Sequence, residues 1–127
     1  MTRVKFELPA DDLARATRFY RDVFGWSALE LPFGYVLVDA DGDEVDVADA
    51  DGGISPRTEF VRGPVLIIDV PSVDGAARRV VEAGGKLLNA KERVGDHGFS
   101  QYVEDTEGSV LCLWESVRDP REPLGEA

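Results

Sequence analysis

Apolar and polar positions along the chain fall into two similar series offset by about 60 residues. Each series opens on a short apolar strand, residues 4–8 in the first and residues 65–70 (Val-Leu-Ile-Ile-Asp-Val) in the second. The second run is the more continuously apolar, which predicts deeper burial. A helix with its own start and stop signals follows each strand. In the first, Asp11 or Asp12 caps the start and Leu13, Ala16, Tyr20, Val23 and Phe24 form the apolar stripe. Arg15, Arg18 and Arg21 face outward, and Gly25 ends the helix. In the second, Ser72 caps, Val73, Ala76, Ala77, Val80 and Val81 form the stripe, and Gly84-Gly85 ends it.

Stretches that read as strands come after both helices. They are residues 26–31, residues 34–39 and a fourth strand somewhere within 44–54, then residues 86–94, 99–104 and 109–115. The junction Asp39-Ala40-Asp41-Gly42 is answered by Asp105-Thr106-Glu107-Gly108, each a turn whose glycine can take positive φ between two strands. The repeating unit is therefore β-α-β-β-β, used twice. The predicted class is α+β: one domain made of modules 3–54 and 64–116, with a linker at 55–63 and a polar tail at 118–127 that contains Pro120 and Pro123.

Length and charge narrow the picture. A chain of 127 residues has the size of one compact domain and can bury enough surface to need no disulfide or structural metal. Its sole cysteine, Cys112, permits no internal bridge. Fourteen Lys and Arg against 25 Asp and Glu give a net charge of −11, which disfavours generic binding to nucleic-acid phosphates or to an anionic membrane. No apolar run approaches the ~18 residues of a membrane span, and the first residues lack the apolar block of a signal peptide. The expectation is a cytoplasmic protein.

The residues Phe6-Glu7-Leu8-Pro9-Ala10-Asp11-Asp12-Leu13 and Phe19-Tyr20-Arg21-Asp22-Val23-Phe24-Gly25-Trp26 resemble the opening of the vicinal oxygen chelate superfamily. That superfamily holds glyoxalase I, the extradiol dioxygenases and the bleomycin-resistance proteins. The second half is similar to it as well, in Asp69-Val70, in Glu82-Ala83-Gly84-Gly85-Lys86, and in residues 103–109 before the strand that ends Leu113-Trp114-Glu115. The resemblance covers residues 3–116. It implies that the two modules curl into a half-open mixed sheet around a cleft, often in paired chains.

It also implies where a metal would sit. In metal-dependent members a divalent ion is held by ligands from the first and last strands of each module. Those positions here are Lys5, Val65 and Cys112, with the fourth on Asp46 by the internal repeat, or on Gly52-Gly53-Ile54 if the fourth strand lies there. Lys5 carries the wrong charge for a ligand and Val65 has no lone pair. Cys112 and Asp46 fall short of the three or more ligands that such a site needs. No metal and no cofactor are expected.

Other candidate chemistry is sparse. His97, the only histidine, is a potential acid or base, but it reads more simply as a solvated residue at the start of a strand. Cys112 lies between Leu111 and Leu113 and reads as a buried, inert thiol. Lys5 and Glu7, two apart on one strand, share a face and either line the cleft or pair at its mouth. The acidic run from Asp39 to Asp51 lacks the glycine and the closing glutamate of a calcium loop, having Glu44 and Ala50 at those places, and reads as a solvated hairpin.

The aromatics Trp26, Phe33, Tyr35, Phe99, Tyr102 and Trp114 fall on strands or their edges. By strand alternation the cleft is expected to be lined by Lys5, Glu7, Val65, Ile67, Cys112 and Trp114, with Tyr35 and Phe99 as stacking walls. The function that follows is a homodimeric, glyoxalase-like or bleomycin-resistance-like protein with a degenerate metal site that binds a small organic molecule. The alternatives are a metal-dependent lyase, isomerase or dioxygenase with altered ligands, or a structural or regulatory dimer with no ligand.

Overall fold

The computed structural model describes residues 3–32 and 34–117, so the expectations for Phe33 and for the 118–127 tail lie outside the described residues. The elements run β1 (Val4–Ala10), α1 (Leu13–Phe24), β2 (Ser27–Leu31), β3 (Tyr35–Asp39) and β4 (Gly52–Pro56). They continue with β5 (Val65–Asp69), α2 (Val73–Glu82), β6 (Lys86–Leu87), β7 (Glu92–Val94), β8 (Gly98–Glu104) and β9 (Val110–Ser116). The strands form one mixed sheet in the order β2-β3-β4-β1-β5-β9-β8-β6, with β7 also paired to β8.

Two modules meet at its centre. Strand β1 is parallel to β4 and β5 is parallel to β9, while β1 and β5 pair antiparallel with Lys5 opposite Ile67 and Glu7 opposite Val65. The second module thus repeats the first about a local two-fold axis between β1 and β5.

Both helices start as their sequences dictate. The Asp12 carboxylate accepts from the Arg15 amide at 3.0 Å and the Ser72 hydroxyl accepts from the Gly75 amide at 3.0 Å, each satisfying an N–H that the first turn leaves unpaired. The equivalent turns also match, with Gly42 at φ 80° and Gly108 at φ 88°. Each helix covers its own half of the convex face. Ala10, Val36, Val38 and Ile54 form the core under α1 with Phe6, Tyr20 and Trp26; Val73, Ala76, Ala77, Val103 and Leu113 form the core under α2 with Phe99. A third cluster, Val61, Val65 and Cys112, lies where residues 57–64 fold back over the end of β5.

The structure departs from the sequence pattern in four places. The fourth strand begins at Gly52, so Asp46 stays in an exposed loop where its Oδ1 accepts from the Ala48 amide at 3.0 Å. Strand β4 runs on to Pro56, taking residues 55 and 56 out of the expected linker. The expected strand 86–94 is two short pieces on the same edge of β8, because Asn89 turns inward between them: its side chain accepts from the Tyr102 amide and its carbonyl accepts from the Gln101 side chain. The helical stripes are also wider than the cores they meet, leaving Val23, Phe24 and Val81 more than half exposed.

Candidate functional site

The concave face of the sheet holds a cleft of about 390 Å³ whose described lining includes residues of β1, β3, β4, β5, β7, β8 and β9. Such a volume suits a small ligand. Side chains alternate across a strand, so the register decides which of them point inward. Lys5 faces the same side as Ile67, Ile67 the same side as Cys112, and Cys112 the same side as Tyr102. This row crosses four strands and forms the floor.

Six of the eight expected residues come together on it: Lys5, Glu7, Tyr35, Ile67, Cys112 and Trp114 all line the cleft. Phe99 does not. Because Tyr102 shares the face of Cys112, residues an odd number of steps away on β8 point to the convex side. Phe99 therefore packs under α2, with the Lys91 ammonium 4.8 Å and the Arg93 guanidinium 5.4 Å from its ring centroid. Val65 faces the right way, but Val61 folds over it. It is only 3% exposed and borders a separate shallow depression shared with Phe60, Arg62 and Glu104.

The deepest polar group is Glu7, at 4% exposure. The Tyr102 hydroxyl donates to its Oε1 at 2.7 Å. Burial raises the Glu7 pKa above the ordinary glutamate value, against the opposing pull of that hydrogen bond. Around it the same desolvation, with the Glu7 charge second, pushes the Tyr35 and Tyr102 phenols and the Cys112 thiol upward, so all three stay protonated at neutral pH. The buried Ser55 hydroxyl lies beside Glu7 and adds a second, weaker pull against the rise of the Glu7 pKa.

Lys5 and Glu7 share the face but form no ion pair, and Lys5 has no acidic partner within 4.0 Å among the described residues. Tyr35 lies flat on β4, because Gly53 leaves its ring room: a Cβ there would stand 2.2 Å from the Tyr35 Cε1 atom. Leu37, Val61 and Trp114 add apolar wall, and His97 sits exposed at the mouth.

Sequence reasoning singled out Tyr102 only as a strand aromatic and passed over Ser55. The signal for Tyr102 was its place opposite Cys112, which needs the β8–β9 register to be read. Ser55 had none, since the start of β4 was open.

The family's metal positions do not fit an ion. They are occupied by a cation at Lys5, by an alkyl group under a second alkyl group at Val65, by Gly53, the cleft-facing residue of Gly52-Gly53-Ile54, with no side chain, and by a Cys112 thiol whose burial opposes the thiolate that metals bind. Away from the cleft, Asp39, Asp41 and Asp43 converge on the exposed hairpin. There the Asp39 Oδ1 is already engaged by the Asp41 and Asp43 amides, at 2.9 and 3.3 Å.

This fold has known counterparts. A Didymella fabae glyoxylase-like domain-containing protein is 31% identical over 115 residues, covering 84% of this chain and 88% of that protein. CFP32 of Mycobacterium bovis is 26% identical over 119 residues, covering 88% of this chain but 44% of that protein, so the chain spans less than half the length of this relative. Among solved structures, a glyoxalase/bleomycin resistance protein/dioxygenase superfamily member from Vibrio splendidus superposes with a TM-score of 0.64 at 19% identity, covering 92% of this chain and 100% of that one. The sequence profile of the Glyoxalase/Bleomycin resistance protein/Dioxygenase superfamily matches residues 3–113, and the chain belongs to that family.

Proposed function

We propose that this chain is a binding member of the family, taking a small organic molecule in its concave cleft without the help of a catalytic metal. The observation that carries the reading is that Lys5, Gly53, Val65 and Cys112 stand at the positions of the ligand set, beside a cleft walled by Tyr35, Ile67 and Trp114. A pocket of this kind supplies affinity through its apolar wall and orientation through a few polar groups. We propose further that the protein is a homodimer in the cytoplasm. Supporting this are the two outer strands β2 and β6 with one free side each, and the exposed Phe19, Val23 and Phe24 on α1. A lone buried cysteine suits a reducing compartment.

Metal analysis of the dialysed protein tests the first reading, together with a thermal-shift screen of aromatic metabolites and antibiotics. The expected result is no stoichiometric Ni, Zn, Fe or Mn and at least one stabilising organic compound. Close to one ion per chain, lost on substituting Cys112, overturns it. Light scattering at tens of micromolar tests the dimer, and the mass of a single chain overturns that part.

A further inference from the structure

The outer face of α1 is apolar where the fold does not ask for it. Phe19, Val23 and Phe24 are 54%, 56% and 58% exposed, and the Phe19 ring stands edge-on to Phe24 with centroids 6.3 Å apart. The second module is an internal control, because it repeats the first. Counted from the two N-caps, Asp12 and Ser72, the equivalent residues on the α2 side are Arg79, Ala83 and Gly84. The same place in the same architecture is polar or small in one half and aromatic in the other, so packing within the chain does not account for the aromatics.

The patch also reaches the sheet. The Phe24 ring centroid lies 6.0 Å from that of Trp26, and Trp26 lies 5.3 Å from Phe6, whose cross-strand neighbour on the convex face is Leu66. Val4 and Leu66, on that same face, are 58% and 51% exposed. Together these side chains show roughly 400 Å² of apolar surface, a large patch for a single chain and about half of what each partner gives to a stable interface.

The charges around the patch say what covers it. Arg15 and Arg18, on the first half of α1, are exposed and have no carboxylate within 4.0 Å among the described residues. The far end of the helix carries the opposite sign. Gly42 packs so closely that a Cβ there would stand 2.7 Å from the Gly25 carbonyl oxygen, and the Ser27 hydroxyl donates to the Asp43 carbonyl, so the exposed Asp41 and Asp43 are held beside the helix C-terminus. Neither has a cation within 4.0 Å among the described residues. Such a surface is complementary to itself in one arrangement. Two copies of α1 packed antiparallel, about a two-fold axis between Phe19 and Val23, bring the apolar residues together and set Arg15 and Arg18 of each copy opposite the acidic end of the other. A parallel pair would set like charge against like.

We infer that this face docks a second copy of the same chain, α1 against α1 and antiparallel, which leaves the concave cleft of each copy open on the other side of its sheet. The inference names the interface of the proposed homodimer and rests on that reading. Two copies with a net charge of −11 each repel at long range, so the contact depends on the cationic half of α1.

Sedimentation velocity of the full chain over a concentration series tests it. Phe19→Ser combined with Phe24→Ser should weaken self-association at least about tenfold, as expected for the loss of two aromatic anchors. Arg15→Glu with Arg18→Glu in one chain, and Asp41→Lys with Asp43→Lys in another, should each weaken self-association as well. An equimolar mixture of those two chains should form the heterodimer, in which every opposed pair of charges is again attractive. Circular dichroism melts of all the variants verify folding. If the wild type is a dimer and the two Phe substitutions leave it so, the interface lies elsewhere, and the inference fails while the dimer reading stands. Charge variants that self-associate as the wild type does, or that do not pair when mixed, overturn the antiparallel docking. If the wild type sediments as a single chain at tens of micromolar, both fail.

Discussion

The Tyr102 phenol donates a 2.7 Å hydrogen bond to the Glu7 carboxylate across 95 positions of chain. Their strands are not neighbours, since β5 and β9 lie between β1 and β8. Three strand spacings of about 4.8 Å would hold the two side chains upright and apart on a flat sheet. The contact exists because the sheet curls, and it closes the cleft floor from both modules at once.

Glu7 should therefore make stability pH-dependent. Its folded pKa lies above the unfolded value near 4.5, so the folded state holds its proton more tightly. As pH rises through the unfolded value, ionisation begins to favour the unfolded chain, and the penalty is complete once pH exceeds the folded pKa. Relative to Glu7→Gln, the wild type should lose stability from about pH 4.5 upward and plateau above the folded pKa. Denaturant melts of the two proteins from pH 4 to 8 check this, and parallel curves would count against it.

Removing the phenol acts in the same direction. Tyr102→Phe deletes the donor that opposes the upward shift, so the Glu7 pKa should rise further. Stability at pH 7 should fall by about 1–3 kcal/mol, the usual loss for a buried hydrogen bond to a charged group. Carbon-detected NMR of the Glu7 carboxyl reads the pKa directly, and an unchanged or lowered value contradicts the geometry.

Gly53→Ala should be costly for a local reason. The added methyl meets the Tyr35 ring at 2.2 Å, so either the ring leaves its place on β4 or the strand moves. A loss of about 1–3 kcal/mol is expected from overpacking. Tyr35→Ala in the same chain should restore part of it, which a double-mutant cycle measures.

Cys112 should be inert in the native state. Burial holds its thiol well above the ordinary cysteine range, and only the thiolate reacts. Alkylation by iodoacetamide at pH 8 should be at least about a hundredfold slower than in the denatured chain. Comparable rates would mean that the cleft floor is open.

For any ligand found, Tyr35→Ala and Trp114→Ala should weaken binding by about 1–3 kcal/mol, as expected of aromatic anchors. Phe99→Ala should leave affinity unchanged and lower stability, because that ring supports α2 on the other face. Asp41→Ala on the hairpin should alter neither. Affinity lost with Phe99 and kept without Trp114 would place the ligand elsewhere.

Much of this protein is written locally. The caps at Asp12 and Ser72, the helical stripes, the paired turns at Gly42 and Gly108 and the doubled strand-helix pattern are short-range properties, so they can be read without knowing the neighbours. The same alternation put Lys5 with Glu7, Val65 with Ile67 and Cys112 with Trp114, because residues two apart on a strand share a face.

Tertiary structure decided what parity alone leaves open. Whether Phe99 or Tyr102 faces the cleft depends on which residue of β8 lies opposite Cys112, and a one-residue change of register would exchange them. Val65 has the correct parity yet is lost to the site, because Val61 of the returning 57–64 segment covers it. The choice between Asp46 and the Gly52 strand was made by pairing with β1 and by the room that Tyr35 and Phe6 need over two adjacent glycines. The hydrogen bond between Glu7 and Tyr102 depends on curvature, which belongs to the whole sheet and is carried by no single segment of the sequence.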